Sequence, residues 1–292
     1  MIPPPDTTWT IRRLLAWAQQ DFQSRNIESP RLGAELLLGH CLGKTRLQLI
    51  LDADQPLDTA ELDAFRELVR RRRKSEPVAY LLGHKEFFGL SFAVDARVLI
   101  PRPDTETLVD VALALSAHHP ATGRLLDLCT GSGCVALAFA LRRPGWTVLG
   151  TDLSPEALEV ARDNAANLAP GLAVAFAVGD LFAAVPEGLR FDSIVANPPY
   201  IPSAESLALD PGITDFEPRL ALDGGADGLD LVRRIVSEAA GWLAAEGTLA
   251  LEVGFDQSES VKALLEQEGF VDVHGHRDYA KVVRVVSGHR AR

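Results

Sequence analysis

From Arg124 to the end of the chain, short apolar runs alternate with stretches of helical periodicity. Nothing else in the sequence constrains the fold as strongly. Residues 125–128, 146–150, 173–178, 191–196 and 248–253 read as strands, and 271–274 and 282–286 as two more. Between them, 135–141, 155–168, 229–243 and 261–268 read as helices, the second with Ser154 as its cap and Pro155 at its first position. A strand followed by a helix and another strand must cross over the sheet. The pattern therefore predicts an α/β fold, a mostly parallel seven-stranded sheet with helices on both faces.

The chain before this region reads differently. Ile11, Leu14, Leu15 and Ala18 recur at helical spacing, a second helix after Pro30 carries Leu32, Leu36 and Leu37, and a third, capped at Asp58 or Thr59, carries Leu62, Phe65 and Val69. The third ends in Arg70-Arg71-Arg72-Arg73-Lys74, which suits a solvated helix end at the negative pole of the helix dipole or a contact for RNA or an acidic partner. Glu86 through Val94 reads as a β-hairpin turning at Gly89. Ile100-Pro101-Arg102-Pro103 cannot be helical, and Asp104 is placed to cap a helix reaching about residue 117. The expected division is 1–84 as a helical substrate-recognition domain, 85–101 as a hairpin linker and 102–292 as the α/β domain.

Composition narrows the function classes. The 292 residues are 47% hydrophobic, enough for a large core and too apolar for disorder. No apolar run approaches a membrane span, and Met1-Ile2-Pro3-Pro4-Pro5-Asp6 has neither the basic start nor the apolar stretch of a signal peptide. Cys41, Cys129 and Cys134 form no CxxC, so a reduced, cytoplasmic protein without structural metal is expected. A net charge of −11 argues against a nucleic-acid binder, and it is uneven: residues 1–84 hold 12 basic and 11 acidic side chains, the remainder 17 and 29.

Two motifs carry the chemistry. Asp127-Leu128-Cys129-Thr130-Gly131-Ser132-Gly133-Cys134-Val135-Ala136 links a strand to a helix and contains GxGxxA. Its glycines let backbone approach a ligand at a helix N-terminus. Asp152 follows the next strand, 21 residues after Gly131, where a carboxylate meets a ribose diol, and Gly179-Asp180 follows the third, suited to an adenine edge. This loop fits a nicotinamide dehydrogenase as well as a methyltransferase using S-adenosylmethionine (SAM). Asn197-Pro198-Pro199-Tyr200 after the fourth strand discriminates. Two prolines stiffen the turn and remove two donors, leaving the Asn197 side-chain oxygen and backbone carbonyls as acceptors beside an aromatic ring. Such a cradle suits a planar NH2 group, whose weak nucleophile needs orientation more than activation.

These segments resemble class I SAM-dependent methyltransferases acting on amide or exocyclic amino nitrogen. Tyr80 through Gly89, Val98-Leu99-Ile100-Pro101-Arg102-Pro103-Asp104-Thr105-Glu106, Glu217 through Leu229 and Leu251-Glu252-Val253-Gly254 are similar, more specifically, to the PrmC/HemK family of peptide chain release factor glutamine methyltransferases. The resemblance covers nearly the whole chain from about residue 10. It implies a Rossmann-like fold with a small N-terminal all-α domain. It also implies methyl transfer from SAM, giving S-adenosylhomocysteine, to the glutamine side-chain amide in the Gly-Gly-Gln motif of class I release factors. Asp127, Cys129, Thr130, Gly131, Ser132 and Gly133 would form the SAM loop. Asp152 with Leu153 would meet the ribose, and Asp180 with Leu181 the adenine. Asn197, Pro198, Pro199 and Tyr200 would hold the glutamine, with Asn197, Pro198 and Tyr200 as the catalytic set and Asn197 also touching the cofactor. Cys129 stands where the family often has glycine, and Leu181 where some members have an aromatic. Arg102 and Glu106 are expected to shape the cofactor mouth.

A monomer is expected, and the net charge and the lack of a long apolar run lead to the expectation that it holds no nucleic acid stably and no membrane. Within the same chemistry the alternatives are a ribosomal-protein glutamine methyltransferase and a DNA or RNA amino-methyltransferase. Cys129 and Cys134 read as small loop residues, His274 and His276 as surface histidines, and His118-His119, before Pro120, as a helix end that needs no site. Asp223-Gly224-Gly225 and Asp227-Gly228 read as turns supporting the active-site loop.

Overall fold

The computed structural model describes residues 8–118 and 121–291. Met1 through Asp6, His119 and Pro120, on which part of the sequence reading falls, lie outside them. The chain forms two compact units, one running to Gly83 and including residues 210–216, the other comprising 84–209 and everything from Glu217 onward.

The first unit is helical. Its helices are α1 (Ile11–Ser24), α2 (Pro30–Leu42), α3 (Arg46–Leu51), α4 (Thr59–Arg72) and α5 (Val78–Leu82). Asp58 caps α4 in a reciprocal box with Glu61, and Thr45 caps α3 in another with Gln48. Ile11, Leu14, Ala18 and Phe22 of α1 meet Leu37, Leu38, Phe65 and Val69 in one core. Leu32, expected on the inner face of α2, is exposed, because that face runs through Ala34, Leu37 and Leu38 at helical spacing. The basic run is largely spent inside this unit. Arg70 bonds to Glu67 at 2.6 Å, Arg71 pairs with Glu76, Arg72 donates to the Glu76 carbonyl at 3.0 Å, and Arg73 reaches Asp21 at 2.7 Å.

The second unit opens with strands β1 (His84–Phe87) and β2 (Leu90–Ala93), joined through Phe88 and Gly89, both at positive φ as a two-residue hairpin requires. Phe87 and Phe92 are buried in the same cluster as the helices α6 (Glu106–Ser116) and α7 (Cys134–Arg142). The hairpin is thus core of this unit, where the sequence suggested a separate linker. Asp104 does not cap α6. It sits in a short 3-10 turn, Pro103–Thr105, and pairs with Arg284 at 3.1 Å.

The strands β3 (Arg124–Leu128), β4 (Thr147–Asp152), β5 (Val174–Val178), β6 (Phe191–Ala196), β7 (Leu243–Glu252), β8 (Phe270–Arg277) and β9 (Val283–Arg290) form one sheet in the order β5-β4-β3-β6-β7-β9-β8. The first five are parallel, and β9 runs antiparallel between β7 and β8. Side chains alternate across the sheet. Leu126, Leu128, Ile194, Ala196, Leu249 and Leu251 pack on α9 (Asp230–Trp242) and α10 (Ser258–Gln267), while Leu125, Val195 and Ala250 pack on the α6–α7 face. Helix α8 (Pro155–Leu168) is capped by Ser154, whose hydroxyl accepts from the Ala157 amide at 3.1 Å. Trp146, expected in a strand, lies just before β4 and packs edge-on against Phe139. The strand order reverses between β3 and β6, so their carboxyl ends open a crevice where α/β sheets bind ligands. Among the described residues, no helix is long and apolar enough to cross a membrane.

Candidate active site

A cavity of about 580 Å³ lies at the carboxyl ends of the central strands, within the range of small-molecule sites. The GxGxxA loop forms its floor. Cys129, Gly131 and Gly133 all have positive φ, at 57°, 53° and 79°. At Gly131 a Cβ would meet nothing within 4 Å, so the loop presents bare backbone to open space. Cys129 adopts a conformation that disfavours any side chain.

Carboxylates hold this loop in shape. Asp127 Oδ2 accepts from the Thr130 hydroxyl at 2.6 Å and the Ala136 amide at 3.1 Å, at the start of α7. Burial pushes the Asp127 carboxyl up to about 7, against those two bonds, and the charge of Asp152 pushes the same way. Asp152 accepts from the Gly131 amide at 2.8 Å and the Ser154 amide at 2.9 Å, bridging the loop to the start of α8. Burial raises its carboxyl, opposed by backbone bonds from Ser154, Gly131 and Leu153. Asn164 ties the loop to the hairpin, donating to the Ser132 carbonyl at 3.0 Å and the Ala93 carbonyl at 3.1 Å and accepting from the Ala93 amide at 2.8 Å. Desolvation raises the thiols too, Cys134 to about 12, which leaves both loop cysteines as inert thiols.

Beyond β5, Asp180 faces the cavity and pairs with Arg234 of α9 at 2.9 Å. Leu153 also lines it, and Leu181 does so while packing into the core beneath. Opposite, the Asn-Pro-Pro-Tyr turn leaves β6 with both prolines buried. Two glycines back it. A Cβ on Gly224 would stand 2.7 Å from the Pro199 carbonyl oxygen, and one on Gly228 2.2 Å from that of Tyr200. The Asp223–Gly228 segment therefore fits flush behind the turn.

Asn197 donates from Nδ2 to the Thr105 hydroxyl at 3.2 Å. The Tyr200 hydroxyl donates to Glu252 Oε1 at 3.3 Å, and the Tyr200 carbonyl accepts from Gln257 at 2.9 Å. Burial pushes the Glu252 carboxyl up to about 7 and the Tyr200 hydroxyl further above its ordinary value. Arg102 reaches the cavity while paired at 2.6 Å with buried Glu217, which also accepts from the Ile100 amide at 3.2 Å. Glu106 does not line the cavity; it accepts from the Phe88 amide at 2.7 Å and pins the hairpin turn.

Of the residues read from the sequence, Asp127, Cys129, Thr130, Gly131, Ser132, Asp152, Leu153, Asp180, Leu181, Asn197 and Pro199 line one cavity. Gly133, Pro198 and Tyr200 do not. Gly133 immediately precedes α7, with Ala161 and Phe176 close behind it, and Tyr200 turns its hydroxyl to Glu252. Sequence reasoning gave no role to Arg234 or Thr105, which also line the cavity. Thr105 lay inside a recognised segment, but nothing local marked it as a partner of Asn197.

A parallel sheet that reverses beside a glycine loop, with Asn-Pro-Pro-Tyr at the end of the fourth strand of its series, defines a class I methyltransferase. Comparison with known proteins agrees. Residues 13–83 match the family model described as the PrmC N-terminal domain, and 105–209 match the methyltransferase small domain. The chain is 44% identical over 280 residues to the release factor glutamine methyltransferase of Geobacter sulfurreducens, covering 96% of each chain. To that of Bordetella pertussis it is 45% identical over 260 residues, covering 89% of this chain and 95% of the relative. A methyltransferase of solved structure from Pyrococcus furiosus shares the fold at 18% identity, with a TM-score of 0.51 over 71% of this chain and 92% of that one. This chain belongs to the release factor glutamine methyltransferase family.

Proposed function

We propose that this protein transfers a methyl group from SAM to the side-chain amide nitrogen of the glutamine in the Gly-Gly-Gln motif of a class I peptide chain release factor. The observation that carries the reading is the Asn197 amide. Its nitrogen is engaged by Thr105, so its oxygen remains as the acceptor for an incoming NH2 group. The Pro198 carbonyl would take the second hydrogen, leaving the nitrogen's face open to attack.

The cavity residues suit SAM. The bare backbone at Gly131 admits close approach, Asp152 has lone pairs for a ribose diol beyond those used by the loop amides, and Asp127 sets a negative charge against a cationic ligand. When bound, SAM supplies a methyl group already activated on a sulfonium, so no nucleophilic Ser or Cys is needed. The residues of this chain contribute binding, exclusion of water and orientation, which count most for a nucleophile as weak as an amide.

The helical first unit would select the protein substrate, since it carries none of the cavity residues. The reading further holds that the protein works as a monomer in the cytoplasm. A ribosomal-protein or nucleic-acid substrate is the competing reading, and the charge of −11 disfavours the nucleic acid. Incubation with tritiated SAM and, separately, a purified release factor, ribosomal proteins or DNA distinguishes them. Label is expected on the release factor alone, mapped by peptide mass spectrometry to the Gly-Gly-Gln glutamine. Label on another residue, or only on another substrate, would overturn the proposal.

A further inference from the structure

We propose that Arg102, held in place by buried Glu217, binds the α-carboxylate of SAM. This inference rests on the reading of the cavity as the SAM site. SAM carries a sulfonium, an ammonium and a carboxylate. Acidic side chains such as Asp127 and Asp152 suit the two cations. The carboxylate calls for a cation of the protein, best one that offers several N–H donors.

Among the described residues, the cations that line the cavity are Arg97, Arg102 and Arg234. Arg97 is held by two carboxylates: Asp95 takes its Nε at 2.9 Å and its Nη2 at 2.7 Å, and Glu159 takes Nη1 at 3.0 Å. Arg234 is paired with Asp180, the residue read at the adenine edge. Arg102 belongs to the reacting end. Three residues further on, the Thr105 hydroxyl accepts from Asn197, the side chain read as holding the methyl acceptor. In SAM the amino-acid tail leaves the same sulfur that carries the methyl group, so its carboxylate is a few bonds from the reaction and belongs at this end too.

The surroundings of Arg102 fix it in one place. Pro101 and Pro103 flank it, each ring setting its own φ and restricting the residue before it. Glu217, 5% exposed, accepts from Arg102 Nη2 at 2.6 Å and from the Ile100 amide at 3.2 Å. One carboxylate thus ties the guanidinium to the backbone two residues earlier. It also offsets a charge that would otherwise stand alone in the cavity before SAM binds. A guanidinium has five N–H donors in a rigid fork, and this bond uses one. Among the described residues Arg102 donates to no other group, and its side chain is 34% exposed, so the remaining donors are open to the cavity that it lines. Holding the fork before the ligand arrives removes an ordering cost from binding.

The test compares SAM with decarboxylated SAM, which keeps the adenosine, the sulfonium and the amine and lacks only the carboxylate. Calorimetry on the full-length protein gives the Kd of each. The parent is expected to bind SAM about 10- to 100-fold more tightly than the decarboxylated form, the worth of a charge-assisted hydrogen bond. Arg102→Met should erase that preference by weakening SAM alone. Glu217→Gln should narrow it several-fold, because the fork is no longer held, with the Kd of decarboxylated SAM within about two-fold of the parent. A general disturbance of the cavity would instead weaken both ligands alike. Should Arg102→Met be unfolded by circular dichroism, Arg102→Gln makes the same comparison with a polar side chain. Equal weakening of both ligands in the folded variant, or a preference as large as the parent's, would overturn the proposal. So would a parent that binds the two ligands alike. A parent that binds neither overturns the SAM reading itself, and the inference with it.

Discussion

Asp127 offers the sharpest check on the electrostatics of the loop. Both of its hydrogen bonds, from the Thr130 hydroxyl and the Ala136 amide, end on Oδ2. Asp127→Asn can present its amide oxygen at that position, keep both bonds and remove only the charge. The carboxyl titrates near 7 in the folded protein against an ordinary 3.8, chiefly because it is buried. The folded form therefore binds this proton more tightly than the unfolded chain, and stability falls as pH rises from about 4 to about 7. Above that window the ionised, buried carboxylate costs about 4 kcal/mol relative to its protonated form. Urea denaturation at pH 5, 6, 7 and 8 without SAM should show the parent losing stability through this range. Asp127→Asn should lose much less, and at pH 8 should be the more stable of the two by a few kcal/mol. Part of the slope persists in the variant, because Glu252 also titrates near 7 in the folded protein. Stability should carry an opposite cost in function, since the variant lacks a charge facing a cationic cofactor and should bind SAM more weakly. Identical pH profiles for parent and variant, or a variant weaker than the parent at pH 8, would refute the reasoning.

Asn197→Ala should lower turnover at saturating SAM and substrate by roughly 10²–10³, the usual consequence of losing one preorganised polar contact, and a rate within a few-fold of the parent would count against its role. Cys129→Gly should raise the unfolding free energy by about 1 kcal/mol, because a residue with a side chain is strained at this left-handed position; calorimetry showing a loss would mean that thiol packing outweighs the strain. Asn164→Ala removes three bonds joining the hairpin to the glycine loop and should cost on the order of 3 kcal/mol in thermal or urea unfolding, with weaker SAM binding by calorimetry. A cost below about 1 kcal/mol would show that the clamp is dispensable.

Local pattern accounts for much of this molecule. Alternation of apolar runs with helical periods marks the parallel sheet because strand and helix bury side chains at different periods, and seven strands follow from it. The glycine loop and Asn197 through Tyr200 are contiguous segments whose backbone demands, positive φ in one and missing donors in the other, are written in glycine and proline. The family resemblance rests on those segments as well. Short helices such as α5, and the return of residues 210–216 to the helical unit, leave no such periodic mark. Nor do the long-range pairings within the site. Thr105 lies 92 residues before Asn197, and Tyr200 52 before Glu252. Arg234 and Asp180 meet because α9 packs against the sheet whose strand precedes Asp180. Each of these depends on the strand order and on which face a helix covers, and both are settled by the packing of the whole core. A hydroxyl looks the same in the chain whether it ends in solvent or, as Thr105 does, beside Asn197; the packing of the core makes the difference.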